Sequence, residues 1–328
     1  MKPLNLALLG CGWIARRHAA AARALRGQLA LSFASRDPRQ AEAYRARYGG
    51  LTAYGSYEAA VADPAIDGVI ICTPHDRHLE DTLLAFSHGK HVLVEKPMAR
   101  TLPEADQMIE AARAAGATLM VAENYRFMPA FRTAGALLAQ GWLGALRQIH
   151  IRAWGYRDPA GWRLSAQATG GGALIDGGIH YVDLLVQWGG QPAQVYALSP
   201  PNTLSGLGGE DTMSLLVQLS DRVVGFLSVS LATRGIPRLQ WSTLTGTAGA
   251  AFVDNRGRLL WLRSSRGQRL RVFLSDARGY RAMVMEFVRA VREGRPPQMN
   301  GTDGRRDLAL VVAAYRSSES GLPVEVEW

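Results

Sequence analysis

Several things are scarce in this 328-residue chain. Cysteine occurs only at Cys11 and Cys72. Two cysteines exclude a disulfide framework and a cysteine-built metal centre, so no metal is expected and a reducing cytoplasm suits the chain. Lysine occurs only at Lys2, Lys90 and Lys96, although Lys and Arg together number 37. No apolar run approaches the roughly eighteen residues of a membrane-spanning helix, so no membrane partner is expected. The first apolar stretch, 4–9, is short for a secretory signal and leads straight into a glycine motif, so it reads as a first strand. A basic tail and an aromatic-interleaved basic patch are also missing. The net charge is +9, but its arginines are scattered through every segment, which argues against a nucleic-acid partner.

What is present is ample. The length suggests about two domains, and a 48% hydrophobic content fills two cores. After the strand at 4–9 comes Gly10-Cys11-Gly12-Trp13-Ile14-Ala15, followed by a helix predicted at 14–25. The first glycine allows a tight turn, the second lets backbone approach a pyrophosphate, and the small Ala15 lets helix and strand pack closely. The helix N-terminus then faces the phosphates. A strand at 29–34 ends in Ser35-Arg36-Asp37. A hydroxyl and a guanidinium suit a 2′-phosphate better than a carboxylate does, which favours NADP over NAD. Asp37 could also cap the next helix, with Pro38 at its first position, or serve a ribose.

Helix and strand continue to alternate: a helix at 38–48, a brief strand at 52–54, a short helix from Ser56, and a buried apolar strand at 68–72 ending in Thr73-Pro74-His75-Asp76-Arg77-His78. A helix to about Ser87 leads to the strand at 91–94, which ends in Glu95-Lys96-Pro97. A helix at 101–115 and a strand at 118–121 complete six alternations. That pattern gives a doubly wound parallel sheet over residues 1–122. Ligands of such sheets bind beyond the carboxyl ends of the strands, where all these polar motifs fall, with Asn124 and Arg126 after the last strand.

Residues 170–183 read Gly-Gly-Gly-Ala-Leu-Ile-Asp-Gly-Gly-Ile-His-Tyr-Val-Asp. Apolar residues recur at helical spacing, and Asp176 and His180 are four apart, on one helical face. A carboxylate one turn before an imidazole can orient the ring and favour its protonated form. Gly177 and Gly178 weaken this helix, as if something must approach its backbone. Before it, the loop 155–172 carries Tyr156, Arg157, Trp162 and Arg163 and reads as a substrate-lining segment. Beyond it, strands are predicted at 194–198, 212–219, 223–231, 239–245, 250–253, 259–262 and 270–273, with earlier elements at 129–140 (helix) and 146–154 (strand). Polar turns without long crossovers argue antiparallel pairing. Helices at 280–293 and 305–320 and a last apolar stretch at 322–326 close the chain. An open sheet this large needs cover on its second face, so a homodimer or homotetramer is expected.

The ordered set Gly10-x-Gly12-x-x-Ala15, Thr73-Pro74-x-x-x-His78, Gly89 to Pro97, Asn124-Tyr125-Arg126-Phe127 and Gly170 to His180 resembles the glucose–fructose oxidoreductase / inositol dehydrogenase / rhizopine-catabolism oxidoreductase family over essentially the whole chain. The resemblance implies an N-terminal Rossmann domain (1–122) and a C-terminal α+β domain (123–328) on a large, mostly antiparallel open sheet. It implies hydride transfer between NAD(P) and a sugar, polyol or related cyclic compound. Carried over residue by residue, Lys96, Asp176 and His180 are the catalytic set, and Trp162-Arg163 matches a pair near the nicotinamide in some members. Gly10, Gly12, Trp13, Ile14, Ser35, Arg36, Thr73, Pro74, His75, His78, Glu95, Lys96, Asn124, Arg126, Trp162 and Arg163 are expected on the cofactor. Lys96, Tyr156, Arg163, Asp176 and His180 are expected on the substrate. His75 departs from the asparagine common in the family. Two other readings share the scaffold: a glycosidase or lyase that retains its cofactor without net redox change, and a non-catalytic cofactor-binding protein.

Overall fold

The computed structural model describes residues 2–234 and 240–328. By compactness the chain divides into two units, Met1–Glu123 with Tyr280–Arg305, and Asn124–Gly279 with Arg306–Trp328. The helix Tyr280–Glu293 thus falls with the first unit, where it packs on the first helix of the chain.

The first unit is built on strands β1 (Leu4–Leu9), β2 (Leu29–Ala34), β3 (Ala53–Tyr54), β4 (Gly68–Ile71), β5 (His91–Glu95) and β6 (Leu119–Ala122). They are joined by helices α1 (Ala15–Arg23), α2 (Pro38–Tyr48), α3 (Tyr57–Ala62), α4 (His78–Ser87) and α5 (Leu102–Ala114). All pairings are parallel, in the order β3-β2-β1-β4-β5-β6. β4 is buried at every position, because helices cover both faces of the sheet. The chain reverses its direction of growth between β1 and β4, so the loops after these strands flank the switch point. Helix starts follow local chemistry. Asp37 accepts the Arg39 N–H at 3.0 Å ahead of Pro38, and Thr101 accepts the Glu104 N–H at 3.3 Å.

The second unit contains a nine-stranded sheet: β7 (Leu146–Trp154), β8 (Pro192–Leu198), β9 (Thr212–Leu219), β10 (Val224–Ser230), β11 (Gln240–Gly246), β12 (Gly249–Asp254), β13 (Leu259–Ser264), β14 (Gly267–Val272) and β15 (Val324–Glu325). The order is β14-β13-β12-β11-β7-β10-β9-β8-β15, antiparallel except for the parallel pair β7/β10. β9 alternates buried and exposed residues along its length, the signature of a sheet covered on one face. Helices α6 (Pro129–Ala139), α7 (Ala166–Thr169) and α8 (Ile179–Gly189) follow the chain, with α8 against β7 and β10 on the covered face.

Two expectations are adjusted. The 155–172 segment carries two short helical turns, Gly161–Leu164 and α7, where an irregular loop was expected. The stretch before α8 forms one π-helical turn, Leu174–Gly178, and only then becomes α-helical. Of its two glycines, Gly178 is the one where a Cβ would press on neighbours. The predicted β11 start, Leu239, lies outside the described residues. Among the described residues no helix is long and apolar enough to cross a membrane.

Candidate active site

In the first unit the side chains of interest stand at strand ends. β1 stops at Gly10, whose φ of +91° is left-handed and whose N–H donates to the Ala34 carbonyl at 3.0 Å. A Cβ here would lie 3.1 Å from the Cys72 carbonyl carbon and oxygen, so only glycine fits between the ends of β2 and β4. Gly12 is the opposite case: a Cβ there would meet nothing within 4 Å. Open space therefore borders the loop in front of α1, whose start has no side-chain cap. Unspent N–H groups facing open space fit a pyrophosphate. Tyr44 steadies this loop by donating to the Gly12 carbonyl at 2.8 Å. Trp13 is 59% exposed beside it. These residues fit a dinucleotide.

Past β2, the Ser35 hydroxyl accepts the Asp37 N–H and donates to Gln40 Oε1, both at 3.2 Å. Asp37 caps α2, and Arg36 is exposed. Past β4, Thr73 Oγ1 donates to Asp81 Oδ2 at 2.7 Å. Pro74 precedes a helical turn that buries His75, whose ring lies 5.6 Å from that of His78. His78 is fully buried. Burial pushes its pKa down, so the ring is neutral and donates one N–H. We place it on Nδ1, 2.8 Å from the Pro97 carbonyl; Nε2 lies 3.1 Å from the Thr73 carbonyl. His78 thus ties the loop after β4 to the loop after β5. There, the buried Glu95 accepts the Lys96 N–H at 3.2 Å and lies 2.6 Å from His18 Nε2. Lys96 is half-buried, whereas Lys90 is spent on structure, donating to the carbonyls of Asp63 and Ile66 at 3.0 and 2.7 Å.

In the second unit the chemistry rides on the layer that covers the sheet. The glycine run is closed on both sides by other backbone and side chains. A Cβ on Gly171 would lie 2.2 Å from the Tyr315 hydroxyl, and one on Gly172 2.1 Å from the Glu210 carbonyl oxygen. Tyr315 accepts N–H groups from Gly172 and Ile175 at 3.2 and 3.3 Å and donates to Glu210 Oε1 at 3.2 Å. Glu210 also accepts the Leu174 N–H at 2.7 Å, so a carboxyl and a phenol together cap the helical segment that carries Asp176 and His180. Burial pushes the Glu210 pKa up. Gly177 faces open space within 4 Å, while a Cβ on Gly178 would press on Leu174 and Val229 at 3.0 Å.

Asp176 Oδ2 accepts Arg163 Nε at 3.2 Å and lies 3.6 Å from an Arg157 nitrogen. The Arg163 guanidinium sits over the Trp162 ring, 4.2 Å from its centroid. His180 stacks face to face on Tyr125, centroids 4.3 Å apart and planes 6° from parallel. Tyr125 in turn accepts from Arg278 at 3.3 Å. The other predicted residues have different neighbours. Arg126 ion-pairs with the buried Asp183, which also receives Gln187 and faces Arg306 at 3.9 Å. The Asn124 amide donates to the Arg278 carbonyl at 2.7 Å. Tyr156 holds Arg234, which donates to its hydroxyl at 2.7 Å and lies over its ring.

Sequence reasoning overlooked His18, Tyr125, Glu210 and Tyr315. Two signals were available. His18 is the one imidazole among the alanines of α1, and Glu210 follows a glycine pair. Tyr315 carried no signal, being one aromatic in an amphipathic helix.

Comparison with known proteins identifies the family. Residues 4–123 match the family described as "Oxidoreductase family, NAD-binding Rossmann fold". Residues 131–252 match the "GFO/IDH/MocA C-terminal domain". The chain is 30% identical to the 1,5-anhydro-D-fructose reductase of Ensifer adhaerens, over 98% of each chain. It is 30% identical to D-xylose 1-dehydrogenase (NADP(+)) 2 of Haloferax volcanii, over 91% of this chain and 92% of the other. The crystal structure of an oxidoreductase domain protein from Kribbella flavida superposes with a TM-score of 0.92 at 25% identity, all of both chains covered. With both of its halves matched and its strand ends arranged for a dinucleotide, the chain belongs to the GFO/IDH/MocA family of NAD-binding oxidoreductases.

Proposed function

We propose that the protein interconverts a secondary hydroxyl and a carbonyl on a sugar, polyol or related cyclic compound, using NADP in preference to NAD. The observation that carries this reading is the pairing of an open, uncapped Gly10–Ala15 loop with a scarce lysine held at the end of β5. When bound, the nicotinamide supplies or accepts the hydride. What remains is a proton and a developing charge on oxygen. Lys96 aims positive charge at that oxygen. His180 takes the proton, its ring held in plane by Tyr125. Asp176 supplies the negative charge that favours the protonated ring, and Arg163 and Arg157 hold Asp176 itself. Arg163, Trp162 and Tyr156 contact substrate in this reading.

The NADP preference is supported by Asp37. Its Oδ1 accepts the Arg39 N–H in the α2 cap, and Arg36 beside it is exposed. The Haloferax relative is named for NADP(+). The outward face of the second sheet exposes Leu216, Trp261, Leu270 and Val272, and we assign its cover to a second copy of the chain, in a dimer or tetramer. Light scattering on the eluted protein reads that state directly.

The deciding experiment follows absorbance of the reduced nicotinamide with NADP⁺ or NAD⁺ and a panel of sugars, inositols and anhydro sugars. Turnover with NADP⁺ preferred is expected. Cofactor that stays bound through purification, with no net reduction during substrate loss, would replace this reading by the retained-cofactor elimination or hydrolysis.

A further inference from the structure

The buried His18–Glu95 pair lies one residue from Lys96. Both side chains are withdrawn from water, His18 completely and Glu95 to 6% exposure. A carboxylate so placed needs donors on its oxygens. It has His18 Nε2 at 2.6 Å from Oε1 and the Lys96 N–H at 3.2 Å from Oε2. Among the described residues, His18 Nδ1 is buried without a hydrogen-bond partner. A proton there would lack an acceptor, so the ring carries its one N–H on Nε2 and donates it to Glu95. The Tyr280 ring meets the imidazole edge-on, centroids 5.7 Å apart, and restricts its rotation. On the other side of Lys96, the carbonyl of Pro97 accepts from His78 at 2.8 Å. Two buried imidazoles therefore bracket the lysine, one through a carboxylate and one through a carbonyl.

We infer that His18 is a positioning residue for Lys96: it fixes the Glu95 carboxylate, which fixes the backbone N–H beside which the lysine side chain departs. The inference rests on the proposed role of Lys96. Displacing a reacting group by about 1 Å can cost about a hundredfold in rate, so a remote anchor has leverage on turnover without touching substrate.

The test uses the full chain as wild type, His18→Leu and His18→Gln. A glutamine amide can reach the position of Nε2; leucine offers no donor. The expected result is a kcat lowered about tenfold or more in His18→Leu, with cofactor affinity within about twofold of wild type and kcat largely restored in His18→Gln. A kcat unchanged in His18→Leu overturns the inference, as does failure of His18→Gln to recover while both proteins fold.

The three lysines provide a second readout that needs no turnover. Trinitrobenzenesulfonate labelling, followed by peptide mass spectrometry, compares exposed Lys2, half-buried Lys96 and buried Lys90. Lys2 reports reagent activity, and Lys90 reports the integrity of the fold. The expected result in His18→Leu is a Lys96-to-Lys2 labelling ratio changed about threefold or more, with Lys90 still protected, and a ratio restored in His18→Gln. An unchanged ratio overturns the inference. If Lys90 loses protection in His18→Leu, the comparison passes to His18→Asn, whose amide is too short to reach Glu95, against His18→Gln. Their Lys96 ratios are expected to differ, and equal ratios overturn the inference. Wild-type protein silent toward every substrate would sink the proposed function, while the labelling would still decide whether His18 positions Lys96.

Discussion

The two sheets dispose of their surfaces differently, and the chemistry follows. β4 is buried at every position, so the centre of the first sheet offers no solvated face to a polar group. The side chains proposed to act from this sheet stand at strand ends, where Ser35, Thr73 and Lys96 all lie. β9 alternates, so the second sheet hides one face only. There the covering layer is itself the carrier, and Asp176, His180 and Asp183 all ride on the π turn and α8. A sheet covered twice pushes function to its rim; a sheet covered once leaves function to its cover.

The largest effects test the two carriers separately. Lys96→Ala at the rim should lower kcat about 10²–10³-fold, the cost of removing one preorganised charge donor. His180→Ala on the cover should lower it about 10²–10⁴-fold, the range for a lost general base. Either is measured from nicotinamide absorbance at saturating cofactor. Activity retained by one variant would mean that its unit contributes binding alone.

A stability comparison follows. Ile70 on the doubly covered sheet is inaccessible, and Ile70→Ala should cost about 2–5 kcal/mol in denaturant unfolding. Leu216 on the free face is 42% exposed, and Leu216→Ala should stay within about 0.5 kcal/mol in the dissociated chain. A large, concentration-dependent loss at Leu216 would show that face covered by a second copy.

A smaller effect concerns cofactor choice. Arg36→Ala should reduce the ratio of kcat/KM for NADP over NAD by about tenfold, the equivalent of about 1.4 kcal/mol. An unchanged ratio would remove Arg36 from the 2′-phosphate.

The smallest effect is one of sign. His78 in the first unit and Asp307 in the second are both buried, and burial works against the charged form of each. Burial lowers the first pKa, while burial and then the charge of Asp183 raise the second well above the carboxylate range. Stability from a lowered imidazole is present above the ordinary histidine value and lost as pH falls below it. For a raised carboxyl the contribution is present below the ordinary carboxylate value and lost as pH rises from there toward the folded value. Asp307→Asn should therefore raise the urea midpoint most at pH 8 and progressively less toward pH 4. A gain independent of pH would refute the raised pKa of Asp307.

Legibility in the sequence followed the same division. The parallel sheet was readable because continuous apolar runs such as Val69-Ile70-Ile71 and glycine-ended helices are local signals. The antiparallel pairing was readable from strands joined by short polar turns without long crossovers. The π turn was not, because Asp176 and His180 keep helical spacing in either geometry. Partners joined over long sequence separations were also invisible. Examples are His18 with Glu95, and Tyr315 with Gly172. No periodicity encodes which distant side chain fills a gap. The ion pair that engages Arg126 belongs to this class too.

The backbone contact between the glycine run and the 208–210 segment bears on how this enzyme can be altered. A Cβ on Gly209 would lie 2.4 Å from the Gly171 carbonyl carbon, and one on Gly172 would strike the backbone of Glu210. Neither side can gain an atom unless the other retreats, and glycine has nothing to give up. In a saturation library aimed at new substrates, clones altered at Gly171, Gly172 or Gly209 should vanish from the surviving pool.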